Sequence, residues 1–333
     1  MIGQETRDVE RKFTAILKIL SDAQSPMGSK MISGLLEEQG IYLGERAVRY
    51  HLKIMDERGL TRSMRHKDGR TITGTGLEEL RNSLVTDKIG FVGSKIERLA
   101  YQTNVGLRTG TGRIPVDVSL FSSDQFPAAL KIMKGVFQAG LSSSNMVALA
   151  GEGNNLGGIV VPAGQVGLST VCYVAVNGCL LKSGIPAHAR FGGLLQVKEW
   201  QPFRFVDLVE FTGSTIDPSE IFIAGRMTDV TQAVATGNGK VLAAYHEIPR
   251  LSYGRADELL QHMNNSGLIS RSFLARPGER MCEIPYNHDK TGLVTLSGLN
   301  AAAAAAESGL AVTNHAMCGL LEVSRLRPFV ELL

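Results

Sequence analysis

The chain has 333 residues, 44% of them hydrophobic and 20% charged, with a formal net charge of +3. That length calls for one large domain plus a small one, or two to three domains, and that composition excludes a disordered chain. No apolar run reaches the roughly 20 residues of a membrane span, and the charged start MIGQETRDVERKF is unlike a secretory signal, so a cytoplasmic protein without a membrane partner is expected.

Residues 9–20 (VERKFTAILKIL) carry apolar side chains at 9, 13, 16, 17 and 20, the spacing of an amphipathic helix. Ser25-Pro26 supplies a cap followed by proline, which predicts a second helix through MGSKMISGLLEEQ. That helix would bury Met31, Ile32, Leu35 and Leu36 and end at Gly40. After a four-residue turn, ERAVRYHLKIMDERG predicts a third helix with Val48, Leu52 and Met55 inward and Gly59 at its close. Two short helices joined by a tight turn are a helix-turn-helix. Gly44 caps the third helix less well than serine or aspartate would, by about a few tenths of a kcal/mol.

Arg46, Arg49, Tyr50 and Lys53 fall at i, i+3, i+4 and i+7 and so share the outward side of the third helix. Such a stripe suits phosphates and guanine edges in a major groove. TRSMRHKDGRTIT then predicts a hairpin turning at Asp68-Gly69, with Arg62, Arg65, His66, Lys67 and Arg70 on its tip and arms. Thr75-Gly76-Leu77-Glu78 reads as a capping box opening a last helix, LEELRNSL. Arg46 to Arg70 holds eight Lys/Arg against three Asp/Glu, a local excess of five that leaves the rest of the chain net negative by two. A basic patch alone is more often a solvated face. On three helices, a basic hairpin and a fourth helix it is the footprint of a nucleic-acid contact. Residues 1–86 are therefore expected to form a winged helix-turn-helix domain that binds double-stranded DNA through Arg46, Arg49, Tyr50, Lys53, Arg65, Lys67 and Arg70.

The remainder contains an internal duplication. Residues 158–203 lie alongside residues 282–329: Val161-Pro162 matches Ile284-Pro285, Gly167-Leu168 matches Gly292-Leu293, Gly193-Leu194-Leu195 matches Gly319-Leu320-Leu321, and Pro202-Phe203 matches Pro328-Phe329. Upstream, VDVSLF and NMVALA resemble AAYHEI and RSFLA, which extends the repeats to about 115–203 and 242–329. Each unit alternates periods of two and 3.6, so residues 87–333 are expected to be an α/β (α+β) regulatory domain with internal duplication. The run Ala301 to Ala306 is the second copy's small-residue helix, matching VCYVAVNGCLL. Two lobes and a bridge make a plausible cleft for a small molecule.

Enzymatic motifs are absent or incomplete. ATGNGKV fails the phosphate-loop pattern, and GEGNNLGG lacks the GxGxxG register and is expected to be a mobile loop. His188 and His315 occupy nearly matching places in the two copies without metal-ligand spacing, and Cys172, Cys179, Cys282 and Cys318 lie far from any CxxC. Cys172 precedes a helix-like segment that could lower its pKa, although a buried structural thiol is the commoner fate. No GxSxG elbow occurs. No catalytic residue, metal or cofactor is expected.

A winged helix carrying GERAVRYHLKIMDERGL and DGRTIT, followed by IPAHARFGGLLQV, GSTIDPSEIFIAGRMTDV and GNGKVLAAYHEIP, resembles the nitrogen regulatory repressors of the NrpR type, found in archaea and some bacteria. The similarity spans essentially the whole chain, with one regulatory domain where some members have two in tandem. The resemblance implies a homodimer that represses nitrogen-assimilation genes from inverted-repeat operators and is released by 2-oxoglutarate. It also implies DNA contacts at the helix and wing positions named above.

A dicarboxylate effector needs cationic and hydroxyl or amide donors. Arg190 stands in HARFGG where the second copy has NHAMCG, and Ser214, Thr215 and Asp217 lie in the turn GSTIDP, which makes these four the candidate effector residues. The alternative is that Arg190 pairs with an acid such as Asp217 and that GSTIDP merely caps a helix starting near Pro218. At the level of function the alternatives are a winged-helix-anchored enzyme or nucleic-acid-processing protein, or a regulator of the same architecture sensing another metabolite.

Overall fold

The computed structural model describes residues 2–23, 25–38, 40–63, 69–83, 91–285 and 288–332, with side chains described from Val9 onward. The chain divides into two compact units, Met1–Ile89 and Gly90–Leu333.

The first unit runs α1 (Ile2–Asp22), α2 (Ser29–Glu38), α3 (Glu45–Glu57), β1 (Thr61–Ser63), β2 (Arg70–Ile72) and α4 (Gly74–Asn82). Its core is one cluster: Phe13, Ile16, Leu17 and Leu20 of α1, Ile32 and Leu36 of α2, Val48, Leu52 and Met55 of α3, and Leu60. Arg58 ties α3 to α1, its guanidinium 5.0 Å from the centre of the Phe13 ring and 3.1 Å from Glu10. Three local expectations are corrected. Helix α2 opens at Ser29 and not at Ser25-Pro26, because Met27 pairs its backbone with Arg70 in both directions, at 3.0 and 2.9 Å, and so lies alongside the hairpin. Met31 is exposed, since the buried stripe of α2 is the narrower Ile32–Leu36 pair. The cap of α4 is Thr73 and not Thr75: its side chain accepts from Gly76 N–H at 3.0 Å. A Cβ on Gly76 would lie 2.1 Å from the Leu60 carbonyl oxygen, so only glycine lets α4 approach β1 this closely.

The second unit begins with α5 (Phe91–Gln102) and continues β3 (Arg113–Ser122), α6 (Phe126–Gln138), β4 (Met146–Gly151), β5 (Asn155–Leu156), β6 (Ile159–Val160), β7 (Gln165–Val171), α7 (Val174–Lys182) and β8 (His188–Lys198). A bridge follows, made of β9 (Gln201–Glu210), α8 (Pro218–Ala224) and α9 (Val230–Thr236). Then come β10 (Gly239–Pro249), α10 (Tyr253–Asn265), β11 (Ser272–Leu274), β12 (Lys290–Leu296), α11 (Asn300–Glu307), β13 (Val312–Glu322) and β14 (Arg327–Pro328). The two repeats are visible as β3-α6-β4-β7-α7-β8 and β10-α10-β11-β12-α11-β13. GEGNNLGG is no open loop; it turns into the small β5–β6 hairpin.

Two five-stranded sheets carry the unit, in the orders β13-β3-β7-β4-β14 and β11-β12-β10-β8-β9, and every pairing is antiparallel. The expected mixed class is therefore realised in its α+β form. Each repeat gives its last long strand away: β8 pairs with β10 of the second repeat, and β13 pairs with β3 of the first. The largest apolar core accordingly draws on both sheets, with Leu168 and Val147 from one, Leu194, Val241 and Val294 from the other, and Met133 of α6. The alanine run lies in α11, where Ala301 to Ala305 are buried against α6. At its start Asn300 is also buried, accepting from Leu242 N–H at 2.8 Å and donating to the carbonyls of Leu141 (2.8 Å) and Leu242 (3.0 Å). At its end Glu307 accepts from Val230 and Thr231 N–H, both at 2.8 Å, which places a carboxylate on the positive end of α9. All four cysteines are free, and no helix among the described residues is long and apolar enough to cross a membrane.

Candidate functional site

Helix α3 turns Val48, His51, Leu52 and Met55 into the core of the first unit, which leaves Arg46, Arg49, Tyr50 and Lys53 together on its open side. Tyr50 is 64% exposed, with its ring edge-on to the buried His51 ring at 5.8 Å. The stripe is less cationic than a count of Lys and Arg suggests. Glu45 pairs with Arg49, and Glu57 lies 3.9 Å from Lys53, both at i,i+4 spacing on the helix. Ser29 at the start of α2 also donates to Glu45, at 3.3 Å, which links the two helices of the helix-turn-helix. Gly44 is the N-cap and supplies no side-chain hydrogen bond, as its residue type dictates.

The hairpin's arms are described but its tip is not, and Arg65, His66 and Lys67 lie outside the described residues. Arg70 is on β2 and half-buried, with its Nε donating to Asp56 at 2.7 Å. Thr61 donates to the other oxygen of the same carboxylate at 2.5 Å. Arg70 therefore fastens the hairpin to α3, a positioning task that the reading of the wing as a row of DNA contacts did not include.

In the second unit the four candidate effector residues fall in two places. Arg190 is on β8, and its guanidinium donates to Glu247 on β10 at 2.9 Å while lying 4.9 Å from the Phe191 ring centre. Its partner is thus Glu247 and not Asp217. Ser214, Thr215 and Asp217 form the turn before α8, which Phe211 N–H ties to the Arg190 carbonyl at 3.0 Å. Ser214 donates its hydroxyl to the Glu210 carbonyl at 2.6 Å, and Thr215 is half-buried. Asp217 is buried as the N-cap of α8, accepting from Ser219 N–H at 2.8 Å and from the Tyr173 hydroxyl at 3.0 Å. The turn is therefore a helix cap that leaves the Asp217 carboxylate spoken for. Gly192 permits this packing: a Cβ there would come within 3.0 Å of both Phe211 and Pro218.

Beside Asp217 lies a group of charges that the sequence reading missed. Strand β13 bulges over Ala316–Cys318, where its ladder with β3 jumps from His315–Val118 to Gly319–Val116, and Met317 has φ +51. Three elements hold the bulge: Glu220 of α8 accepts from Ala316 N–H at 2.6 Å, Asp117 of β3 from Met317 N–H at 2.8 Å, and Lys95 of α5 donates to the Ala316 carbonyl at 3.3 Å. Burial raises the Asp117 carboxyl to about 7, against the lowering effect of Met317 N–H and the nearby Cys172 thiol. Burial likewise raises Asp217, and it pushes the Cys172 thiol well up, so the helix-start thiol is not activated. An aspartate inside the mostly apolar strand VDVSLF was the available signal.

A cavity of about 380 Å³ opens beneath α5, lined by residues that include Ile96, Glu97, Leu181, His188 and Phe211. No Lys or Arg lines it, and its polar lining is Ser94, Glu97, Asn177, His188 and Thr212. No cluster of three metal-ligating side chains occurs among the described residues.

Comparison with known proteins follows the same division. Residues 89–328 match the NrpR regulatory domains NRD1 and 2, and residues 14–80 match the ribonuclease R winged-helix domain. The chain is similar to the global nitrogen regulator NrpRI of Methanosarcina mazei, with 33% identity covering 96% of this chain and 98% of that protein. It is also similar to the global nitrogen regulator NrpR of Methanococcus maripaludis, at 30% identity over 93% of this chain but only 54% of that longer protein. A solved structure of a nitrogen repressor-like protein from Methanococcus jannaschii shares the fold, with a TM-score of 0.60 and 22% identity over 71% of this chain and 97% of its own.

Proposed function

The chain belongs to the NrpR family of nitrogen regulators, and from that membership we propose that it is a transcriptional repressor of nitrogen-assimilation genes that binds an inverted-repeat operator as a homodimer and is released by 2-oxoglutarate. The observation that carries the reading is the open stripe Arg46, Arg49, Tyr50 and Lys53 on α3, held in the same chain as an NrpR regulatory unit. The relatives are named as regulators, and the proposal assigns the chain binding and release with no catalytic step, in the cytoplasm.

The helix-turn-helix presents one reading helix per chain, and two chains in fixed relation would read two half-sites about one turn of duplex apart. In the regulatory unit the effector proposal rests on Arg190, with the Ser214 and Thr215 hydroxyls in the turn tied to its backbone. The Asp217 carboxylate would order that turn. A 2-oxoglutarate carboxylate would compete with Glu247 for the guanidinium, which couples effector binding to the β8–β10 contact. A gel shift on the DNA upstream of the protein's own coding region, with and without 2-oxoglutarate, tests the reading. Retarded DNA released by the effector supports it; no retardation at low salt overturns it, and nuclease activity with magnesium would favour the processing alternative.

A further inference from the structure

Glu45 is an acid at the start of the helix proposed above to read DNA. It is the first residue of α3, and the opening turn of a helix in the major groove is the part that touches base edges. Favourable interaction with the helix macrodipole would explain any acid there, but it would not explain how this one is held. Ser29 donates to Glu45 Oε1 from α2, and Arg49 donates to the same oxygen from the next turn of α3. Both claims fall on Oε1, so among the described residues Oε2 is open, on a side chain that remains 43% exposed. The carboxylate is thus contacted from two sides with one oxygen to spare. Arg49 is paired in turn, with Nε and Nη1 still available to donate.

We propose that Glu45 is a base-reading residue whose free oxygen accepts a hydrogen bond from the N4 amino group of cytosine, next to a guanine contact made by Arg49. The inference rests on the DNA-binding reading above. A carboxylate near phosphates weakens binding to every duplex, so its use there is selective. In the major groove cytosine presents only an amino donor, whereas adenine presents its amino donor beside the N7 acceptor, which repels a carboxylate. Guanine and thymine present acceptors. Cytosine is therefore the base that Glu45 accepts and the other three are bases it rejects. The pairing with Arg49 biases both side chains toward this arrangement before they dock.

The test is selection of bound sites by the full chain from random duplexes, followed by anisotropy titrations on the selected site and its single-base-pair variants. These are run with wild type, Glu45→Ala, Glu45→Gln and Arg49→Ala. The Glu45 and Arg49 side chains are exposed, and circular dichroism checks that the folds match. In Glu45→Ala, discrimination against replacing one cytosine should fall about tenfold or more, while affinity for unselected duplexes rises because a negative charge is gone. Glu45→Gln should shift that position toward adenine, and Arg49→Ala should lose a guanine preference yet keep the cytosine one. A Glu45→Ala protein with the wild-type base preference at every position would overturn the proposal. Loss of the cytosine preference in Arg49→Ala would overturn it too, since Glu45 would then act only through Arg49. If wild type selects no site at all, the DNA-binding reading itself falls.

Discussion

The Arg190 guanidinium meets the Glu247 carboxylate at 2.9 Å where β8 carries an extra residue in its ladder with β10, between the pairs Tyr245–Phe191 and His246–Ala189. The matching residue of the second repeat is Ala316, in the bulge of β13, where Glu220 takes the backbone N–H and Lys95 donates to the carbonyl. One structural position thus has two clamps: in the first the cation is the strand's own side chain, and in the second Lys95 reaches the backbone from α5.

Replacing Arg190 with alanine should leave operator binding intact and abolish release by 2-oxoglutarate. It should also lower stability by about 1 kcal/mol, since Arg190 is one-third exposed while Glu247 is nearly buried. Glu247→Gln removes the competitor and should bind the effector at least as tightly as wild type. Calorimetry with unchanged 2-oxoglutarate affinity in Arg190→Ala would take that residue out of the site.

Arg49→Ala should weaken specific operator binding by about 1–3 kcal/mol. Lys67→Ala, at a position outside the described residues, should weaken all duplexes alike and reduce the salt slope by about one unit. Titrations at four salt concentrations separate the two, and an Arg49→Ala protein with wild-type affinity would show that α3 does not read the DNA.

Asp117 gives a pH signature. Its carboxyl rises from an ordinary 3.8 to about 7 on folding, so between those values the folded state holds a proton that the unfolded state has released. Its effect on stability is therefore most favourable below pH 4, declines as pH rises through the window to about 7, and is constant above it. His246, whose pKa falls to about 3 through burial, works in the opposite sense over an overlapping range. The difference between wild type and Asp117→Asn isolates the aspartate: the variant should gain on wild type steadily from pH 4.5 to 7.5 in urea denaturation. A pH-independent difference would mean that Asp117 does not titrate there.

Removing residues 1–86 should leave a dimer of the regulatory unit at micromolar concentration, because a single winged helix reads too few base pairs for specificity and the fixed pairing must come from elsewhere. A monomer in light scattering would count against dimerisation through the regulatory unit.

What could be read from the sequence was whatever is local. The 3.6-residue spacing of Phe13, Ile16, Leu17 and Leu20, and of Val48, Leu52 and Met55, marks α1 and α3 because each helix packs a continuous stripe. The starts of α2 and α4 were misplaced because a distant partner decides both: Arg70 takes the backbone of Met27, and the Leu60 carbonyl fixes where Gly76 must sit. The i,i+4 acids Glu45 and Glu57 were legible beside Arg49 and Lys53, whereas Glu247 stands 57 residues from Arg190 and no local pattern joins them. The repeats were plain as matching strings, but which sheet the last strand of each would join depends on contacts across the whole unit.

That crossing of β8 and β13 makes the duplication indivisible. Were the backbone nicked in the bridge between α8 and α9, each fragment would keep an orphan strand and lack the one its own sheet needs, with β3 missing β13 and β10 missing β8. Neither piece should be soluble by itself. Mixed from denaturant, they should recover a single particle whose regulatory unit melts in one transition, as two halves that can no longer live apart.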